Sequence, residues 1–131
     1  MAAFEQLDFL YIPSTDVARD SAYFTSVLGG RLVFAIESAG THVAMIELTE
    51  SAPRILLTDH LEDDRPILIY RVADLDGAIE DLRARGWVSA RRIEIPSGPC
   101  VSFHTPGGQR LALYERTRPE VEAHFAGRRD F

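Results

Sequence analysis

The hydrophobic and polar positions of the chain follow the same order twice. An apolar run over residues 7–12 ends shortly before Asp16, and a second over residues 67–72 ends shortly before Asp74. After each aspartate, apolar side chains recur at the three- and four-residue spacing of a helix with one buried face. The pattern therefore predicts two strand-helix units in succession.

Both predicted helices have recognisable ends. Asp16 and Asp74 suit the N-cap position, where a carboxylate accepts a hydrogen bond from a first-turn amide. Glycines at 29–30 and at 86 suit the helix ends. The predicted buried stripes are Val17, Ser21, Phe24 and Leu28 in the first helix and Leu75, Ile79 and Leu82 in the second.

Three further strands are predicted after each helix. They cover residues 31–36, 41–48 and 54–58 in the first half and 87–95, 100–105 and 109–115 in the second. Each half therefore follows the order β-α-β-β-β, in which the helix covers one sheet face and leaves the other to form a concave surface.

These predictions divide the chain into four parts. The first module covers about residues 6–58, a polar acidic linker 59–66, the second module about 67–115, and a tail 116–131. The tail carries a short predicted helix, which begins near Pro119, has Val121 and Phe125 one turn apart and closes at Gly127.

Composition narrows the class of protein. A chain of 131 residues favours one domain, and a net charge of −6 with a pI near 5.1 opposes general nucleic-acid binding. No apolar run approaches the roughly 18 residues of a membrane span, and the N-terminus does not resemble a signal peptide. Because Cys100 is the single cysteine, no internal disulfide can form, and we expect a cytoplasmic protein without a membrane partner.

Two segments resemble a known superfamily. Residues 11–24, which end in the aromatic pair Tyr23-Phe24, continue to Val27-Leu28-Gly29-Gly30 and look like the opening of the vicinal oxygen chelate superfamily; residues 103–115 look like its closing hairpin. That group includes glyoxalase I, extradiol dioxygenases, fosfomycin-resistance enzymes and bleomycin-resistance proteins. The resemblance implies an α+β fold, in which two βαβββ modules form an eight-stranded, open barrel-like sheet around a central cavity. It also implies a homodimer.

The resemblance further implies four metal-ligand positions, which relatives usually fill with His and Glu. Counting from Asp16 and Asp74 puts two of them on Phe9 and Ile67, counting from the Gly107-Gly108 turn puts one on Ala112, and the last falls within residues 55–57. None of these side chains has a lone pair for a metal. We therefore expect neither a bound metal nor another cofactor.

Strand alternation extends this alignment to the side chains that face the cavity. The predicted ligand-binding residues are Phe9, Tyr11, Phe34, Met45, Ile69, Arg71, Arg110, Ala112 and Tyr114. Aromatic and apolar groups with a few polar ones are typical of small-molecule pockets, although the same side chains also suit a closed, ligand-free core.

Other polar residues offer weaker candidates. A non-standard metal site would need three converging ligands, and the spacing of His42, His60, His104 and His124 guarantees no convergence. Cys100 lies about 13 Å along a strand from His104, too far for a direct nucleophile–base pair, and is expected in the core. Glu115, a tempting general base, is expected at the surface.

Three functions follow as hypotheses. The first is a metal-free protein that binds a small aromatic or apolar molecule, in drug or metabolite sequestration. Stacking on Phe9, Tyr11 and Tyr114 would hold the ligand, and Arg71 or Arg110 would orient an acidic or carbonyl group, although the net charge favours a cation. The second is a metal-dependent lyase, isomerase or dioxygenase with non-standard ligands. The third is a structural or regulatory domain with a filled cavity.

Overall fold

The computed structural model describes residues 4–61, 64–88 and 91–131. Residues 62–63 of the predicted linker and residues 89–90 of the predicted sixth strand lie outside the described residues. The strands are β1 (Phe4–Pro13), β2 (Arg31–Ser38), β3 (Thr41–Glu47), β4 (Arg54–Thr58), β5 (Ile67–Val72), β6 (Arg91–Ile95), β7 (Gly98–His104) and β8 (Arg110–Glu115). The helices are α1 (Val17–Ala22), α2 (Leu75–Ala84) and α3 (Glu120–Phe125), and a π-helical segment (Tyr23–Val27) follows α1.

In these ranges, the eight strands form one open mixed sheet in the order β2-β3-β4-β1-β5-β8-β7-β6. Within each half, the first strand pairs in parallel with the fourth: β1 with β4, and β5 with β8. The halves join where β1 and β5 pair antiparallel, with Phe9 opposite Ile69 and Tyr11 opposite Ile67. The predicted α+β fold with eight strands in an open, barrel-like sheet is confirmed.

α1, with the π-helical segment that follows it, and α2 cover the same face of the sheet. Val17 of α1 packs into a cluster with Ala44 and Leu57, and Leu75 of α2 packs into one with Leu113. Burial of these apolar side chains stabilises each helix on its own half. The opposite, concave face keeps its own apolar cluster, which is the candidate site.

The first helix departs from the predicted stripe. Val17 and Ser21 are buried as expected, but Leu28 is 49% exposed and does not belong to the stripe. The reason is the π-helical segment over Tyr23–Val27, whose hydrogen bonds span five residues and change the helical phase after α1. A buried stripe predicted at 3.6 residues per turn therefore no longer matches the buried face at residue 28.

The two predicted N-caps differ. The Asp16 side chain accepts a hydrogen bond from the Arg19 amide (3.0 Å), as predicted. Asp74 occupies the N-cap of α2, but its side chain forms no capping bond; instead the amide of Leu75 donates to Oε1 of Glu115 (2.9 Å). Glu115 therefore lies at the strand end as expected, but it is half-buried and caps a helix.

Several strand limits also differ from the sequence prediction. β1 starts at Phe4 rather than residue 7, and β7 starts at Gly98 rather than residue 100. The turn before β7 is shorter than predicted because Ile95 already pairs with Gly98. Trp87 and Val88 precede β6 and are not in a strand.

The tail folds back on the first half. α3 covers residues close to the predicted helix, and Gly127 after it has a positive φ of 84°. Residues beyond Gly127 run beside β2, with a parallel bridge between Ala35 and Arg129. In the parts of the chain that the structure describes, no helix is long and apolar enough to cross a membrane.

Candidate functional site

One apolar cluster on the concave face spans both halves of the sheet. Of the nine residues predicted to bind a ligand, six are buried members of this cluster and Tyr11 packs against it. The six are Phe9, Phe34, Met45, Ile69, Ala112 and Tyr114. Arg71 pairs with Tyr114, and Arg110 with Ile67, so both arginines share the register of concave residues. The fold thus brings the predicted residues to one face, but most of them are packed rather than open.

The strand register also locates the four positions at which the resemblance places metal ligands. Phe9 and Ile67 are diagonal neighbours on β1 and β5. Ala112 pairs with Ile69, and the equivalent residue of the first half is Leu56, which pairs with Tyr11. Phe9, Leu56, Ile67 and Ala112 therefore form an apolar floor between the halves, and none can coordinate a cation.

The histidines do not supply a substitute site there. His42 Nδ1 lies 2.6 Å from Asp59 Oδ2, and its Nε2 lies 3.6 Å from Glu37. This cluster lies at the outer end of the β2–β3 hairpin, away from the apolar floor. Within residues 4–61, 64–88 and 91–131, no group of three His, Cys, Asp or Glu side chains converges as metal ligands would.

A polar cleft opens beside the apolar floor. Its volume is about 220 Å³, and Phe9 and Tyr114 line it together with charged and polar side chains. The charged residues at the cleft are Asp8, Glu47, Glu50, Arg54, Arg71, Arg116 and Glu122. Of the nine predicted ligand-binding residues, Phe9, Arg71 and Tyr114 line this cleft.

A bulge in β1 places Asp8 in the cleft. The pairing of β1 with β5 shifts between Leu7 and Phe9, so Asp8 is an extra residue without a paired partner. Its buried carboxylate accepts a short hydrogen bond from the Tyr114 hydroxyl and a 2.6 Å bond from Gln6. Burial raises the pKa of Tyr114, as does this bond to Asp8, so the phenol keeps its proton.

Three arginines line the cleft, and carboxylates neutralise their positive charges to different degrees. Arg54 forms ion pairs with Glu47 (2.8 Å) and with Glu122. Arg71 is held only loosely, 3.6 Å from Glu5 and 3.8 Å from Asp8. Arg116, within the described parts of the chain, forms no ion pair or hydrogen bond. The positive charges of Arg71 and Arg116 both act on the Tyr114 hydroxyl. The cleft therefore contains cationic groups that an anion can still bind.

The other end of the concave face carries a second polar group. The Tyr11 hydroxyl lies 3.1 Å from His60 Nε2, and His60 Nδ1 lies 2.5 Å from the buried Thr58 hydroxyl. Burial raises the pKa of Tyr11. Arg110 has a buried guanidinium nitrogen, Nη1, without a hydrogen-bond partner among the described residues. His104 pairs with Arg110 in register but is exposed.

Cys100 lies inside the concave cluster, where it pairs with Tyr114 across β7 and β8. It is 2% exposed, and burial raises the pKa of its thiol to about 11. A thiol with that pKa is protonated at neutral pH and is a poor nucleophile.

Sequence reasoning missed Asp8, Arg54, Arg116 and Glu122. Asp8 had a signal, because it is a charged residue inside an apolar strand. Arg54 had none, since it reaches the cleft only through the parallel pairing of β4 with β1, opposite Phe9. Arg116 and Glu122 had none either, because nothing in their local sequence shows where the tail folds.

Comparison with known proteins identifies the fold. No described protein family matches this sequence, and no curated protein matches it either. The solved structure of methylmalonyl-CoA epimerase from Mycobacterium tuberculosis is similar, with 24% identity, a TM-score of 0.71, and 90% of this chain and 92% of that chain covered.

Two further solved structures agree. A hypothetical protein from Bacillus halodurans C-125 has 16% identity and a TM-score of 0.66, with 86% of this chain and 95% of that chain covered. A glyoxalase/bleomycin resistance protein/dioxygenase superfamily member from Vibrio splendidus 12B01 has 12% identity and a TM-score of 0.62, with 82% of this chain and 96% of that chain covered. The chain has the vicinal oxygen chelate fold, as the two sequence segments predicted.

Proposed function

We propose that this chain is a metal-free small-molecule-binding protein of the vicinal oxygen chelate fold. The observation that carries the proposal is the apolar floor of Phe9, Leu56, Ile67 and Ala112, which lies where the resemblance places the four metal ligands. A cleft beside it offers an aromatic edge and charged groups. Of the floor residues, Phe9 also lines the cleft, and small-molecule sites combine such apolar groups with convergent polar ones.

The ligand we propose is a small, flat aromatic or apolar molecule with one polar end. Phe9 and Tyr114 line the cleft with their ring centroids 5.9 Å apart, although they are only 8% and 1% exposed. Arg71 lies beside them and has only long contacts to carboxylates. Sequestration of a drug or a metabolite is the role that such a site would serve.

Binding is tested with two fluorescent probes, the anionic 8-anilinonaphthalene-1-sulfonate and the neutral N-phenyl-1-naphthylamine. We expect both to bind, and we expect Arg71→Gln to weaken the anionic probe severalfold, by the loss of one charge-assisted contact. Arg92→Gln is the matched control, because Arg92 is paired with Asp76 away from the cleft (2.6 Å). Equal effects of the two variants, or no binding of either probe to the unmodified protein, would contradict the proposal.

The alternative is a metal-dependent lyase, isomerase or dioxygenase with non-standard ligands. Such an enzyme needs at least three converging ligands, which the described residues do not provide. Elemental analysis of freshly purified protein separates the two functions. A stoichiometric divalent ion that is lost in His42→Ala or His104→Ala would favour the enzyme.

We propose a homodimer, because Tyr23 and Val27 leave apolar side chains 53% and 64% exposed beside α1. Sedimentation velocity tests this, and a monomer at micromolar concentration would contradict it.

We also propose a cytoplasmic location, where the single Cys100 would stay reduced; fractionation of the source cells tests that location.

A further inference from the structure

The tail occupies part of the concave face of its own chain. Phe125 of α3 packs against the concave cluster, with its ring centroid 5.7 Å from that of Phe34. Beyond α3, the amide of Gly127 donates to the Val33 carbonyl (2.8 Å), and the amide of Asp130 donates to the Ala35 carbonyl (2.7 Å). Residues 119–131, which we call the tail segment, thus cover the first half of the face and its edge strand.

The tail segment also brings a carboxylate into the cleft. Pro119 and Glu122 both line the cleft, and Glu122 pairs with Arg54. Arg54 is already bound by Glu47 at 2.8 Å, so Glu122 is a second anion on the same guanidinium. The other two arginines of the cleft, Arg71 and Arg116, have no comparably close carboxylate.

We propose that the tail segment is a displaceable plug in which Glu122 stands in for the anionic group of a ligand. The inference rests on the proposed function and deepens it, since it assigns the ligand a carboxylate or phosphate. When the ligand binds, its anion replaces Glu122 at Arg54 and also reaches Arg71 and Arg116. The tail segment then leaves the concave face, which exposes the apolar surface under Phe125.

The attachments of the tail segment are weak enough for this exchange. α3 has six residues, none of them buried, and its N-terminus has no side-chain cap. So short a helix is not stable on its own. It is held by the Phe125–Phe34 ring contact and the Arg54–Glu122 ion pair, and the residues after it are held by hydrogen bonds to β2 and by the contact of Phe131 with His42. The ion pair is partly exposed, with 33% of the Arg54 side chain and 26% of the Glu122 side chain accessible. Exposed pairs of this kind are weak, whereas a planar carboxylate or phosphate can bind a guanidinium through two hydrogen bonds.

The test compares Glu122→Gln with Glu120→Gln. Both variants remove one negative charge from α3, but Glu120 is exposed and does not line the cleft. We expect Glu122→Gln to tighten the anionic probe 8-anilinonaphthalene-1-sulfonate about two- to fivefold, because the competing carboxylate is gone. The neutral N-phenyl-1-naphthylamine should gain less than the anionic probe in Glu122→Gln, because it gains only from the looser tail segment.

A second readout follows the tail segment itself. Hydrogen exchange at the amides of Gly127 and Asp130 should become faster when the unmodified protein binds the anionic probe, because both amides donate to β2. Without any probe, exchange at these amides should already be faster in Glu122→Gln than in Glu120→Gln.

The outcomes separate this inference from the proposed function. Probe binding with unchanged exchange, or with equal affinity in the two variants, overturns the plug and leaves the proposed function standing. Equal tightening of both probes in Glu122→Gln overturns the role of Glu122 as an anion mimic. If neither probe binds any protein, the proposed function fails, and equal exchange in the two variants without probe then overturns the plug as well.

Discussion

At the scale of single residues, the Tyr114 hydroxyl donates a hydrogen bond to Asp8 in the wall of the cleft. Asp8 is buried, and its carboxylate accepts bonds from Tyr114 and Gln6. A buried carboxylate is tolerated only when hydrogen bonds or opposite charges compensate the loss of water. Tyr114 therefore both borders the candidate ligand site and stabilises the fold.

Tyr114→Phe should lower the free energy of unfolding by about 1.5–3 kcal/mol, because it removes a hydrogen bond to a charged group and leaves Asp8 less satisfied. Tyr70→Phe is the matched control: the Tyr70 ring contacts that of Phe4 in a tilted arrangement (centroids 5.2 Å apart), and its hydroxyl has no hydrogen bond within the described residues. Urea denaturation measures both variants. A Tyr114→Phe protein as stable as Tyr70→Phe would show that the bond contributes nothing.

At the scale of elements, the two halves use the same pattern but different contacts at the helix N-termini. The Asp16 side chain caps α1, whereas Glu115 from the end of β8 caps α2 across the structure. Local sequence predicts the first kind of cap because donor and acceptor are three residues apart. It does not predict the second kind, since Leu75 and Glu115 meet only after β8 has paired with β5.

Mutation can separate the contributions of the two caps to stability. Asp16→Ala should reduce the free energy of unfolding by about 1 kcal/mol, the usual effect of losing an N-cap side chain. Asp74→Ala should have a clearly smaller effect, because Asp74 makes no capping bond. Thermal or urea unfolding of the two variants gives the comparison, and Glu115→Ala should resemble Asp16→Ala. Equal destabilisation by Asp16→Ala and Asp74→Ala would contradict this assignment.

At the scale of the whole molecule, His42 joins parts of the chain that are distant in sequence. It lies on β3, pairs with Asp59 after β4, and contacts the ring of Phe131 with centroids 5.0 Å apart. The hydrogen bond to Asp59 raises the pKa of His42 above 6.5, and the bonds from His42 lower the pKa of Asp59 below 3.8. Both groups are therefore charged between these two values, where the pair stabilises the fold.

The pH dependence follows from these directions. The contribution of His42 is fully present below pH 6.5 and is lost as the pH rises through its raised folded pKa; the contribution of Asp59 is lost as the pH falls through its lowered folded pKa. His42→Gln should thus lower the melting temperature most at about pH 5 and least at about pH 9. His124→Gln, at an exposed histidine of α3 without an ion pair in the described residues, is the control and should show no such trend. An effect of His42→Gln that is constant with pH would contradict the assignment.

The sequence by itself determined the order of elements, the fold and the apolar character of the positions at which the resemblance places metal ligands. These features depend on periodicity, caps and glycines, which act over a few residues, and on two segments that resemble a superfamily. The placing of Phe9, Ile67 and Ala112 at these positions remains what the resemblance implies, counted from Asp16, Asp74 and the Gly107-Gly108 turn.

Only the tertiary structure decided the fourth floor position and the charged residues of the cleft, because both depend on contacts between distant segments. The parallel pairing of β4 with β1 selects Leu56 as the fourth floor position and brings Arg54 to the cleft. The bulge at Asp8 and the fold-back of the tail segment set the charges around that cleft. Strand pairing and the docking of a short helix are selected by the free energy of the whole packed core, which no local pattern encodes.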